Sequence, residues 1–125
     1  MKKKILYLSY DGILEPLGYS QVVCYIKKLS YDYEITLISF EKKNDIKTKN
    51  INELKKELKE LNIDWYYLHY HSFPKILSTI YDILKGFFLI FYIIYIKKIK
   101  ILHCRSYISG TLSLMTSFFF KMQII

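Results

Sequence analysis

The sequence predicts an α/β fold: a Rossmann-like parallel sheet with helices on both faces. Three observations carry this. Short apolar runs of strand length alternate with segments of helical period, giving the order β-α-β-α-β-α-β-α-β. The first run is almost continuously apolar, as a strand covered on both faces requires. The chain has 125 residues and is 52% hydrophobic, enough for one domain with a real core and far too apolar for a disordered segment.

The elements follow in order. Ile5 to Tyr10 is the first strand, and Asp11 to Tyr19 a loop marked by Gly12, Pro16 and Gly18. Ser20 is expected to cap the next helix, in which Val22, Ile26 and Leu29 fall on one face. Tyr33 to Phe40 is the second strand, and Glu41 to Asn50 a polar connection. Ile51, Leu54, Leu58 and Leu61 form one apolar stripe on a charged helix, whose Lys55–Glu60 run is a solvated face. Ile63 to His69 is the third strand, followed by the loop His69–Pro74. A long helix spans about Lys75 to Lys98, Lys100 to Cys104 is the fourth strand, and Ser106 to Lys121 a further helix. Met122 to Ile125 reads as a fifth strand barely begun, so the chain is expected to be a fragment of something longer, poorly soluble or partly molten by itself.

The net charge is +8, and Arg105 is the one arginine among 19 basic residues. Readers of bases and phosphates favour the planar arginine fork, so a scattered lysine excess argues against a nucleic-acid partner. It still favours anionic small molecules or an acidic lipid leaflet. Cys24 and Cys104 match neither a disulfide framework nor a C-x-x-C site, and a reducing, cytoplasmic setting is expected. The apolar run after Lys2, Lys3 and Lys4 is too short for a signal peptide.

In an open parallel sheet, ligands bind at the carboxyl ends of the strands, near the switch in strand order. For the order 3-2-1-4-5, the loops Asp11–Ser20 and Arg105–Gly110 flank that point and face each other. The first loop is not G-x-G-x-x-G and is too long for a dinucleotide turn, which makes a nicotinamide cofactor a poor reading. Gly18 and Ser20 lie at a helix start, where free N–H groups favour an anion. An anion site and an ordinary loop with a capping serine both satisfy these residues.

The runs Ile5-Leu6-Tyr7-Leu8-Ser9-Tyr10-Asp11-Gly12 and Glu15-Pro16-Leu17-Gly18-Tyr19-Ser20-Gln21-Val22 resemble the opening of family 4 glycosyltransferases of the GT-B fold. Ile101-Leu102-His103-Cys104-Arg105-Ser106-Tyr107-Ile108 is similar to that family's fourth strand, and the long apolar helix before it also fits. The resemblance spans essentially the whole chain. It implies that residues 1–125 form the N-terminal, acceptor-side domain of a transferase that moves sugar from a nucleotide-sugar to a glycan or lipid-linked acceptor. By position it carries over Gly12 and Gly18 as loop glycines, Ser20 and Gln21 as the Ser-Gln at the helix start, and Arg105 and Ser106 as the polar pair facing the cleft. Asp11 belongs to the same loop. Many relatives carry a histidine where Arg105 stands, which points here to a charged group instead. The family's two donor-site glutamates, eight residues apart in a C-terminal domain, have no match. The implied fragment lacks its donor-binding half, holds no catalytic residue, needs no cofactor beyond the donor as substrate, and transfers no sugar alone.

Other features have blander readings. His69, His71 and His103 are expected to sit at the ends of non-adjacent strands, so a metal site is disfavoured. Gly86 to Ile96 is uncharged, but a full span of about 20 residues would include Asp82 and Lys85. Ser78, Asp82 and Lys85 form a polar stripe that suits a soluble amphipathic helix. Core or interdomain packing is the first reading of this helix, a membrane surface the second, a span the third. A small membrane-associated or structural protein without activity is the alternative to the transferase. Salt-sensitive contact with the inner face of the membrane, through Lys2, Lys3, Lys4, Lys97, Lys98 and Lys100, is expected alongside either.

Overall fold

The computed structural model describes residues 2–71 and 75–125. A five-stranded, all-parallel sheet runs in the order β3-β2-β1-β4-β5. Its strands are β1 (Lys3–Ser9), β2 (Tyr33–Lys42), β3 (Ile63–Tyr70), β4 (Ile101–Arg105) and β5 (Gln123–Ile124). This is the order that the alternation of elements predicts, with β1 and β4 adjacent at the switch point.

Helices cover both faces. On one face lie α1 (Pro16–Gly18), a π-helical turn (Tyr19–Val23) and α2 (Cys24–Leu29), which run on as one segment, with α3 (Lys43–Thr48) and α4 (Ile51–Glu60) beside them. Ile13, Val22, Ile26, Leu54 and Leu58 pack there against Ile35, Leu37 and Trp65. On the other face, α5 (Lys75–Lys97) and α6 (Tyr107–Ser117) pack Ile90, Ile93, Ile94 and Leu112 against Leu6, Leu8, Ile38 and Leu102. β1 feeds both cores because its side chains alternate, Tyr7 to the first and Leu6 and Leu8 to the second.

Four local expectations are corrected. Ser20 does not cap a helix. Pro16, with its fixed φ and no N–H to satisfy, opens the helix four residues earlier, and the Ser20 hydroxyl donates instead to the Leu17 carbonyl at 3.0 Å. Glu41 is not in a polar connection but at the end of β2, fully buried. The connection itself contains the short helix α3. The polar stripe of α5 is split: Ser78 and Asp82 are turned inward and buried, Lys85 stays exposed, and Leu77, Leu84 and Phe88 are exposed as well. Inward polar groups are tolerated because they are bonded, Ser78 to the Lys75 carbonyl and Asp82 to His71. The apolar second half of α5 is covered by the sheet and, at Phe87 and Phe91, by Phe119 and Phe120, while Phe88, Tyr92, Tyr95 and Ile96 are exposed. Gly86 lets it approach closely, since a Cβ there would lie 3.0 Å from Cζ of Phe40.

Candidate functional site

The carboxyl ends of β1, β2, β3 and β4 form one edge, and the first loop is built onto it tightly. Glu41 reaches across from β2 and accepts hydrogen bonds from the backbone N–H groups of Ile13 (2.8 Å) and Leu14 (3.2 Å). Ser39 donates to the same carboxylate at 2.6 Å and accepts from the Trp65 indole N–H at 2.8 Å. Burial pushes the Glu41 carboxyl up from its ordinary range, against the opposing pull of these bonds. Both loop glycines have an internal reason to be glycine. A Cβ on Gly12 would lie 2.6 Å from the Glu41 carboxylate, and one on Gly18 only 1.9 Å from the Gly12 carbonyl oxygen. The Gly12–Gly18 contact therefore folds the loop back on the start of its own helix.

Across the switch point, Ser9 at the end of β1 pairs in register with Arg105 at the end of β4. The Arg105 guanidinium donates to the Gln21 side-chain carbonyl and lies 3.7 Å from the Asp11 carboxylate. Asp11, Gln21 and Arg105 are thus brought together, Gly12 and Gly18 beneath them. Ser20 is exposed and bonded within its own helical turn, outside this group. Asp11 is 60% exposed, so its long ion pair with Arg105 is screened and contributes at most about 1 kcal/mol. The guanidinium keeps donors for a ligand.

Ser106 follows with φ 89° and ψ 163°, a backbone region that glycine occupies freely and serine does not. It precedes α6 without capping it, its hydroxyl lying 3.4 Å from that of Ser109. The first N–H groups of α6 are therefore presented beside Arg105, where helix polarity favours an anion. Behind them the His103 ring stacks on Tyr7, centroids 4.6 Å apart and planes 12° apart, with Tyr25 at 5.7 Å. Burial pushes the His103 imidazole's pKa below its ordinary value.

A second group at this edge was not singled out from sequence. Asp82 of α5 is buried and accepts from both the backbone N–H of His71 (3.0 Å) and its Nδ1 (2.6 Å). Tyr10 lies against it, its phenol pushed up to about 12, first by burial and then by the Asp82 charge. A lone carboxylate in an otherwise apolar helix is the sequence signal that could have found this group. Between the two groups is a cleft of about 200 Å³ lined by Tyr10, Asp11, Gly12, Glu15, Lys42 and Tyr70. Glu15 and Lys42 pair across it at 2.6 Å. Of the His69–Pro74 loop, residues 72–74 lie outside the described residues. His69 on β3 and His103 on β4 are separated by β2 and β1.

No family model matches the chain, and neither does any curated protein. Among solved structures, it is similar to a crystal structure of a glycosyltransferase from Rickettsia africae ESF-5. The TM-score is 0.62 at 19% identity, over 98% of this chain and 28% of that one. The likeness establishes the fold. The chain spans just over a quarter of that protein's length.

Proposed function

We propose that this chain is the acceptor-side, N-terminal unit of a family 4-like GT-B glycosyltransferase. The full enzyme moves a sugar from a nucleotide-sugar to a glycan or lipid-linked acceptor, at the cytoplasmic side of a membrane. The observation that carries the reading is the joining of the two carboxyl-edge loops by Arg105, which reaches Gln21 and Asp11 from β4. The similarity of the whole chain to part of one glycosyltransferase adds support. The two free cysteines, Cys24 and Cys104, are compatible with a reducing compartment.

In this reading Arg105 supplies a fixed fork of donors to a phosphate or carboxylate of the substrate. The α6 N-terminus adds its first N–H groups on the same side, with Ser106 setting their direction. Gly12 and Gly18 keep the facing loop low enough for the ligand to approach. A charge-assisted bond of this kind is worth about 1.5–3 kcal/mol, roughly ten- to hundredfold in binding. The reading assigns this chain no catalytic residue, metal or resident cofactor and no nucleic-acid partner, and it expects no transfer by the chain alone.

The test joins this chain to a donor-binding α/β domain and measures transfer of labelled sugar, with Arg105→Ala alongside. The expected result is a ten- to hundredfold loss in kcat/KM at unchanged thermal stability. Unchanged kinetics, or a loss that only tracks unfolding, would leave Arg105 as a brace between loops and remove the main support for the reading.

A further inference from the structure

The outward side of α5 is apolar along most of its length. Leu77, Leu84, Phe88, Tyr92, Tyr95 and Ile96 are each 48–72% exposed. Phe118 and Phe119, just after α6, are 87% and 66% exposed. Phe119 also packs on Phe87 and Phe91 at 5.8 and 5.9 Å, so the two helices present one continuous patch. At its lower end, Ile96 leads directly into Lys97 and Lys98, and Phe120 into Lys121. These lysines belong to an open groove of about 950 Å³ at the amino edge of the sheet, lined by seven lysines and no carboxylate. Among the described residues, Lys3, Lys98, Lys100 and Lys121 form no ion pair.

We propose that this surface lies on an anionic lipid leaflet, with the α5 and Phe118–Phe119 side chains at the acyl boundary and the groove lysines on the headgroups. An apolar face bordered by aromatics and lysines is the composition that an interfacial helix needs. A second copy of the chain fits the patch poorly, because it would bring two lysine-rich rims together on chains of net charge +8. A span fits it poorly too. The inner side of α5 is held on the sheet by Ile90, Ile93 and Ile94, and Asp82 is committed to His71. The inference does not depend on sugar transfer.

Vesicle flotation of the 125-residue chain tests it, since aggregates do not float. The chain is expected to float with vesicles of phosphatidylglycerol in phosphatidylcholine, much less with phosphatidylcholine alone, and to be released by salt. The triple variant Lys3→Glu, Lys100→Glu, Lys121→Glu should lower partitioning on the order of a hundredfold, from about fivefold per lysine. Phe88→Ser with Tyr92→Ser should weaken binding while the circular dichroism spectrum stays unchanged, as both side chains are already exposed. Any of three results overturns the proposal: no flotation with anionic vesicles, flotation insensitive to both salt and the lysine variant, or retention in the membrane after carbonate extraction. A discrete dimer that buries the aromatics and does not float would overturn it as well.

Discussion

Replacing Gly18 by Ala is the sharpest probe of how the first loop is built. The added Cβ would sit 1.9 Å from the Gly12 carbonyl oxygen and 2.9 Å from its carbon, both backbone atoms. To reach even a tight contact, the two backbone segments must part by about 1 Å. The segment that would move is tied down, because the N–H groups of Ile13 and Leu14 donate to the buried Glu41 carboxylate. Overpacking of this kind costs about 1–3 kcal/mol. Breaking one of the buried bonds to a carboxylate adds about 1–3 kcal/mol. Gly18→Ala should therefore destabilise by about 2–6 kcal/mol. With a urea dependence of about 2 kcal/mol per molar, the unfolding midpoint falls by roughly 1–3 M. The control is Gly110→Ala inside α6, where a Cβ meets nothing within 4 Å. It should stabilise by about 0.5–1 kcal/mol through helix propensity. Urea titrations followed by circular dichroism measure both. A Gly18→Ala midpoint within error of the parent would refute the claimed contact.

Three further outcomes are expected. Burial raises the Glu41 pKa above 4.5, so the folded state holds that proton more tightly than the unfolded chain. Its contribution is fully present below about 4.5 and is lost as pH rises through the folded pKa. The stability difference between the parent and Glu41→Gln should therefore shrink as pH rises over that window, and a difference that is flat or grows with pH contradicts the burial argument. Ser106→Gly relieves a φ of 89° and should stabilise by about 1 kcal/mol, read as a rise of about 3–5 °C in Tm; a fall would mean that the serine side chain holds the turn. Asp82→Ala leaves the two His71 donors without their carboxylate and should cost about 1–3 kcal/mol in urea unfolding; no loss would show that the group contributes nothing to the fold.

The sequence by itself determined the strand order and the layers. Alternating apolar runs and helical periods leave a parallel sheet little choice, and β1 beside β4 follows from that order. It also placed Asp11, Gln21 and Arg105 on facing loops, because the ends of adjacent strands must meet. Only the tertiary structure decided which partners these residues take. Gln21 and Arg105 are 84 residues apart, and no local pattern encodes their bond. Glu41 reads as solvated in sequence because charge normally seeks water; its burial depends on N–H groups 27 and 28 residues away. Asp82 misled in the same way. A polar stripe on a helix says that one side differs from the other, but not which side faces the sheet. The bonds from His71 offset the cost of burying the Asp82 carboxylate, so the first half of α5 turns Ser78 and Asp82 inward and leaves Leu77 and Leu84 exposed.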